Sequence, residues 1–176
     1  SLIDAGLELE WLTNALACLG VGGYTLSAEK VLRQGVTGTQ FSVNDNAQEH
    51  PVRNLHRIHH ILGEADLPET VHAQALDTFE RIARAEAQIH GTTIEEIHFH
   101  EVGAVDSLVD IVGFYLALGQ LGVEQVYASP LPLGKGTVNT AHGLLPVPAP
   151  ATLALLAEKH VPIAPFEAQA ELVTPT

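Results

Sequence analysis

The chain has 176 residues, 46% of them hydrophobic, which is enough for one domain with a core of its own. With 8 Lys+Arg against 21 Asp+Glu, the formal net charge is -13, a surface that repels phosphate backbones and argues against nucleic acid as a partner. The mean hydropathy is +0.17 and no apolar run reaches the roughly 18 residues that span a bilayer, so we expect no membrane partner.

Apolar spacing in the first quarter of the chain predicts a helix followed by a β-hairpin. Leucines recur on one helical face between Leu9 and Leu19, and residues 1–9 resemble the middle or end of a helix. Alternation over 24–32 and 39–43 predicts two antiparallel strands joined by a glycine turn. Residues 44–54, rich in Asn, Asp, Gln and Pro, predict an exposed and poorly ordered loop.

Helical patterns dominate the middle of the chain. A short helix is expected at 55–62, and Asp66 with Glu69 is typical of a capping box for a long helix that stops at Gly91. Thr93 with Glu96 suggests a further cap. Another helix, capped by Asp106 or Ser107 and running through residue 118, is apolar on nearly all sides, which predicts a central position.

The remaining elements decide the fold class. A strand is expected at 123–128, a loop rich in Pro and Gly at 129–150, and a helix from Pro150 to Glu158. Strands that alternate with helices favour an α/β fold with helices packed on a small sheet, and the early hairpin keeps an α+β fold with a mixed sheet as the alternative. We expect one domain over 1–176. We also expect a fragment of a longer protein, because the chain contains no Met and its last residues form no closing element.

One short segment carries most of the candidate catalytic and metal-binding residues. In an extended stretch, side chains two positions apart share a face, so His98 and His100 can offer two nitrogen ligands, with Glu101 beside them. Asp106 and Asp110 share a helical face, and Asp110 interrupts an apolar helix, where a carboxylate needs a partner or a metal. Imidazole plus carboxylate suits nickel, zinc, manganese or iron. The alternatives are core histidines, a capping Asp106 and a solvated Asp110.

Two further groups of residues are weaker candidates. His56, His59 and His60 are three or four positions apart, so a helix would bring pairs of them together for loose metal collection; scattered exposed histidines are the alternative. Lys135 follows a glycine in a Gly-Pro loop and can bind an anionic cofactor, although the pattern is not a Walker loop and a plain loop is the alternative. His142 lies in the same loop and can join the other histidines. The single cysteine in the chain forms no internal disulfide, which predicts a reducing, cytoplasmic location.

Longer motifs then resemble the LarC family of nickel insertion proteins. Residues 83–91, with Glu86 and His90, fit the family, and the resemblance covers nearly the whole chain, most loosely at 24–60. The motifs that carry it, in the family's order, are Ile97-His-Phe-His-Glu-Val-Gly-Ala-Val-Asp-Ser-Leu-Val-Asp-Ile-Val112, Ser129-Pro-Leu-Pro-Leu-Gly-Lys-Gly136, Ala141-His-Gly-Leu-Leu-Pro-Val-Pro-Ala-Pro-Ala151 and Glu171-Leu-Val-Thr-Pro-Thr176.

The resemblance implies that the full-length protein inserts Ni²⁺ into pyridinium-3,5-bisthiocarboxylic acid mononucleotide, forming the nickel-pincer cofactor of lactate racemase, a possible partner. The reaction is that of a chelatase, in the lyase class, with CTP hydrolysed and Mn²⁺ or Mg²⁺ assisting. The family also has a segment ahead of Ser1 and a nucleotide-associated C-terminal domain. Whether the fragment turns over, and its oligomeric state, stay open.

Two rival functions use the same residues. The chain can be a non-catalytic, nickel-binding metallochaperone domain, or a metal-dependent hydrolase that uses His98, His100, Glu101 and Asp106. Turnover with CTP by the full-length protein separates the first rival from a nickel-inserting enzyme, and hydrolysis of generic phosphoesters would reveal the second.

Overall fold

A computed structural model of the chain describes residues 1–46, 53–99, 105–140 and 143–176, with the backbone alone at Arg53 and His98. It has the mixed α/β composition that the alternation of elements predicted. Within these ranges the helices are α1 (Leu9–Leu16), α2 (Leu55–Glu64), α3 (Glu69–His90), α4 (Val105–Gln120) and α5 (Pro150–Glu158). The strands are β1 (Tyr24–Arg33), β2 (Val36–Asp45), β3 (Arg53–Asn54), β4 (His98–Phe99), β5 (Leu131–Pro132), β6 (Thr137–Thr140), β7 (Gly143–Pro146) and β8 (Ile163–Ala164).

The N-terminal helix and hairpin follow the predicted pattern. Helix α1 buries Leu12 and Leu16 and, after one 3₁₀ turn, the chain leaves the helix at Gly20 with φ 61°, a left-handed conformation that glycine adopts without strain. Strands β1 and β2 pair antiparallel along their whole length, around a two-residue turn at Gln34 and Gly35. The expectation of a helix over 1–9 was wrong, since residues 2–6 form turns and α1 begins at Leu9.

The main hydrophobic core lies among helices α1 to α4. Helix α4 is central, as predicted, and its buried residues include Leu108 and Val112, which are fully enclosed. Helix α3 contributes Phe79, also fully buried, and Thr78 hydrogen-bonds Tyr115 of α4 at 2.8 Å. These contacts hold the middle of α3 against α4. No helix in the described ranges is long and apolar enough to cross a membrane.

Several predicted helix caps are absent. Helix α3 begins after Pro68, and Asp66 does not cap it. Residues 94–96 form a turn in which the Thr92 hydroxyl donates to the Glu96 carboxylate, so the expected second cap starts no helix. Because α4 already includes Val105, both of its predicted capping residues lie in its first turn.

One predicted strand and one predicted loop also differ from the structure. Residues 123–128 have no regular structure, and Tyr127 there is 85% exposed, so the apolar run does not form a buried strand. Of the expected loop at 44–54, residues 44–45 belong to β2 and 53–54 to β3, which pairs with β4, while 47–52 lie outside the described residues.

The last third of the chain is built from short paired strands and α5. Strands β5 and β8 pair in parallel, and β6 and β7 pair antiparallel. Helix α5 packs on α3, where the Arg81 guanidinium bridges Asp77 on its own helix and Glu158 on α5. This contact holds the C-terminal segment against the helical core.

Candidate functional site

A cleft of about 330 Å³ opens between the helical core and the C-terminal segment; we call it the site cleft. Five parts of the chain meet there: the C-terminal end of α3, strand β4, the first turn of α4, the β6–β7 hairpin with the start of α5, and the last residues of the chain. They are spread between Glu86 and Thr176, so the cleft exists only in the folded molecule. Its described polar side chains include three carboxylates and an imidazole, from Glu86, Asp106, Glu171 and His90.

Glu86 and His90 stand one turn apart on α3, on the face that lines the site cleft. The distance between His90 Nε2 and Glu86 Oε2 is 3.5 Å, and their side chains are 31% and 22% exposed. Both are donors that first-row divalent metals accept.

Asp106 reaches the site cleft from the first turn of α4. Its Oδ1 accepts a hydrogen bond from the Ser107 backbone N–H at 2.7 Å. A carboxylate in the first helical turn is also favoured by the partial positive charge of the helix N-terminus. Asp106 is therefore held in place on the cleft wall while it stays accessible to solvent.

One described residue of the segment that carries the predicted histidines and glutamate reaches the same cleft. Phe99, which is 3% exposed, lines it, and His98 and His100 are its two neighbours in sequence. The backbone of His98 lies in β4, paired with Asn54. His100 and Glu101 lie outside the described residues. The predicted clustering of these side chains with Asp106 therefore stays a prediction.

Asp110 lies apart from the site cleft. It borders a second hollow of about 150 Å³ whose other walls are mostly apolar side chains, among them Leu12 and Phe114. Burial against these groups raises the pKa of the Asp110 carboxyl, and the nearby Asp106 carboxylate raises it further. The side chain keeps solvent access, and no hydrogen bond or ion pair of Asp110 is found among the described residues, so the expected buried partner is absent there.

The three histidines of α2 are exposed and do not line the site cleft. His59 lies 3.5 Å from the Glu80 carboxylate of α3, an arrangement that joins the two helices. His56 and His60 share the solvent face of α2 with it. Their role in collecting metal stays a prediction.

The Gly-Lys-Gly loop contacts the C-terminal segment. The Lys135 ammonium forms an ion pair with Glu167, and its backbone N–H donates to the Ala168 carbonyl at 2.9 Å. Lys135 does not line the site cleft, and its role in binding an anionic cofactor stays a prediction. His142 lies outside the described residues.

The described side chains do not form a complete metal centre by themselves. Across residues 1–46, 53–99, 105–140 and 143–176, no group of three or more His, Cys, Asp or Glu side chains is arranged to hold a metal ion. A metal bound in the site cleft therefore needs further donors, from other residues or from a ligand.

Comparison with known proteins identifies the family. The family model described as "Nickel insertion protein" matches residues 1–176. The chain belongs to the nickel insertion protein family. A relative from Desulfitobacterium hafniense, named "Pyridinium-3,5-bisthiocarboxylic acid mononucleotide nickel insertion protein", is 51% identical over 176 residues, which cover 100% of this chain and 43% of the relative. A relative of the same name from Staphylococcus saprophyticus is 40% identical over 176 residues, which cover 100% of this chain and 44% of the relative.

The chain thus spans less than half the length of these curated nickel insertion proteins. No solved structure matches the chain.

Several residues of the site cleft in this nickel insertion family member were not predicted from the sequence. Glu86 and His90 belong to a family motif, and their i,i+4 spacing is a sequence signal that they share a helical face. Glu171 and Thr174 belong to the last motif, and Asn139 lies in β6; all three line the cleft. No local pattern marks these residues, because they reach the site through tertiary contacts.

Proposed function

We propose that this chain is the nickel-handling part of a longer nickel insertion protein. In this proposal Ni²⁺ is bound in the site cleft and then transferred to pyridinium-3,5-bisthiocarboxylic acid mononucleotide. The full-length protein would act as a nickel chelatase, and the curated relatives that carry this substrate in their names support the assignment.

The single observation that carries the proposal is the composition of the site cleft. Separate parts of the chain bring Glu86, His90, Asp106 and Glu171 to one cavity, and Lys and Arg are absent from its described lining. Carboxylate and imidazole ligands suit a first-row divalent ion, and the excess of negative charge attracts it. The lining therefore fits a divalent metal as cargo.

Within the proposal, His98, His100 and Glu101 contribute to metal binding together with Asp106. Two described neighbours support this placement, because Phe99 and Asp106, on either side of residues 100–104, both line the site cleft. Asp110 belongs to the proposed site as well, although it borders the other hollow.

Transfer from the cleft to the acceptor follows from ligand chemistry. Imidazole and carboxylate groups hold nickel without the closed thiolate cage that would trap it, whereas the acceptor supplies softer sulfur donors. The ion therefore moves toward the acceptor once both are close. The protein's part is to capture the ion, to orient it and to leave coordination positions open.

The site cleft, without a bound divalent ion, does not fit a nucleoside triphosphate. Three carboxylates of the site cleft would repel its phosphates, and the Lys135 ammonium is already paired with Glu167. If the full-length protein uses CTP with Mn²⁺ or Mg²⁺, we place that nucleotide, and the acceptor's phosphate, on parts of the protein beyond these 176 residues.

The proposal also includes a protein partner and a cellular location. Lactate racemase, which would receive the finished cofactor, is proposed as a partner. A cytoplasmic location is proposed because the chain's one cysteine cannot form an internal disulfide.

A non-catalytic nickel store is the second candidate. It is favoured by the three exposed histidines of α2, which lie outside the site cleft. In that case nickel would collect on α2 and the full-length protein would not mature the cofactor.

The test uses the full-length protein and its His98→Ala and His100→Ala variants. We expect each to bind Ni²⁺ at least about tenfold more weakly by calorimetry and to lose activation of lactate racemase, with little change in thermal melting. His72→Ala, a histidine of α3 outside the cleft, is the control. If the two variants bind nickel like the parent but melt much lower, they are core residues and the metal assignment moves to α2 or beyond this chain.

A further inference from the structure

The end of α3 presents two donors to the site cleft at a separation that matters for metal binding. His90 Nε2 and Glu86 Oε2 are 3.5 Å apart. A charge-assisted hydrogen bond between such groups is about 2.7–2.9 Å long, so the pair is not at hydrogen-bond distance. By contrast, two donors bound to one ion at about 2.1 Å, with about 110° between them, are about 3.4 Å apart.

Distance alone does not single out this pair. His59 Nε2 and Glu80 Oε1 are also 3.5 Å apart, but their side chains are 42% and 37% exposed and do not line the cleft. Glu80 is shared with the Arg84 guanidinium as well, at 3.9 Å. Glu86 and His90 are less exposed and face a cavity of about 330 Å³, where a bound ion would have room for further ligands.

We propose that Glu86 and His90 form a two-donor docking site for a divalent first-row transition metal ion on the wall of the site cleft. The inference deepens the proposed function, because it names protein ligands for the nickel ion. The helix sets the i,i+4 spacing, so both donors are in position before the ion arrives.

The incompleteness of the pair has a mechanistic consequence. The described residues supply no third His, Cys, Asp or Glu close enough to complete a metal centre. An ion held by Glu86 and His90 therefore needs further donors, from other residues or from an incoming ligand that brings its own.

The test measures binding of Ni²⁺ alone to the full-length protein and to Glu86→Gln, His90→Ala and the double variant. We expect each single variant to weaken binding by about tenfold or more. We expect the double variant to lose less than the product of the two factors, since both groups hold one ion. X-ray absorption should show one imidazole fewer on nickel in His90→Ala. His72→Ala, on the same helix but outside the cleft, should bind like the parent.

Thermal melting separates ligand loss from misfolding. Glu86→Gln preserves the shape of the side chain, so weaker binding at an unchanged melting temperature supports the site. Parent-like nickel affinity in both single variants overturns it. If those variants bind normally while His98→Ala does not, the docking pair is wrong and the proposed function survives. If all of them bind nickel but the parent protein matures no cofactor, the proposed function fails instead.

Discussion

Asp110 is a carboxylate that the sequence marks clearly and that the structure leaves without the expected partner. The residue interrupts the apolar pattern of α4, which suggested a buried ion pair or a metal. The structure places it at the edge of an apolar hollow, still open to solvent, where burial and the Asp106 carboxylate raise its pKa. The sequence shows that a carboxylate interrupts α4, but the direction in which Asp110 faces depends on the packing of α1 and α4.

We predict that Asp110→Asn stabilises the metal-free protein at pH 8 by a small amount, about 0.5 kcal/mol. The folded protein holds the Asp110 proton more tightly than the unfolded chain does. Stability of the parent therefore falls as pH rises from the ordinary Asp value, about 3.9, through the raised pKa of the folded state, and the destabilisation persists above it. Thermal melts from pH 8 down to pH 4 should show the advantage of the variant shrinking. A variant that melts well below the parent at pH 8 would show that Asp110 has a partner after all.

At the scale of elements, helices with one apolar face and a glycine stop were predictable. The 3₁₀ turn after α1 ends at Gly20 and α3 ends at Gly91, and both glycines are in the left-handed region, as the sequence indicates. The hairpin was also predictable from its alternation. The strand expected at 123–128 does not form, because a short apolar stretch specifies a strand only when a neighbouring strand is available to pair with it. Whether the cap residues are used depends on where the preceding chain enters the helix.

In the loop after β5, close packing explains why residue 134 is a glycine. Gly134 has φ 73°, and a Cβ there would collide with the carbonyl oxygen of Ala170. The backbone of this loop therefore lies directly against the C-terminal segment that carries Glu171, a residue of the site cleft. The sequence suggested that Lys135 in this loop binds an anion, whereas the close neighbour of Gly134 is the chain itself.

We predict that Gly134→Ala destabilises the protein by more than the matched variant Gly122→Ala. Gly122 has a similar φ of 65° but open space around it, so its substitution reports only the left-handed strain, about 1 kcal/mol. Gly134→Ala should cost about 2 kcal/mol or more and should speed hydrogen exchange at the Lys135 amide, which bonds Ala168. Equal costs for the two variants, with Lys135 still protected, would contradict the close packing.

For the whole molecule, the family was predictable from sequence and the composition of the site was only partly so. Long motifs identified a nickel insertion protein, and the family match over the whole chain confirms that. The motifs around residues 97–112 and 171–176 both contribute to the site cleft, but no sequence pattern shows that they meet there. The spacing of Glu86 and His90 places them on one helical face, but only the folded structure shows that this face lines the cleft. The spacing of residues along the chain predicts which side chains are neighbours on one helix or strand. This site is formed by side chains from several elements, so spacing alone does not predict it.

The position of nickel in the folded protein tests the central claim most directly. A crystal of the full-length protein soaked with Ni²⁺ should be measured above and below the nickel absorption edge, which gives the ion's position without assumptions about its ligands. We predict an anomalous peak in the site cleft, between the end of α3 and the first turn of α4, within about 2.1 Å of at least one donor atom of Glu86, His90 or Asp106. A sole peak on the α2 histidines, or one outside residues 1–176, would contradict the claim that this cleft is where the protein handles nickel.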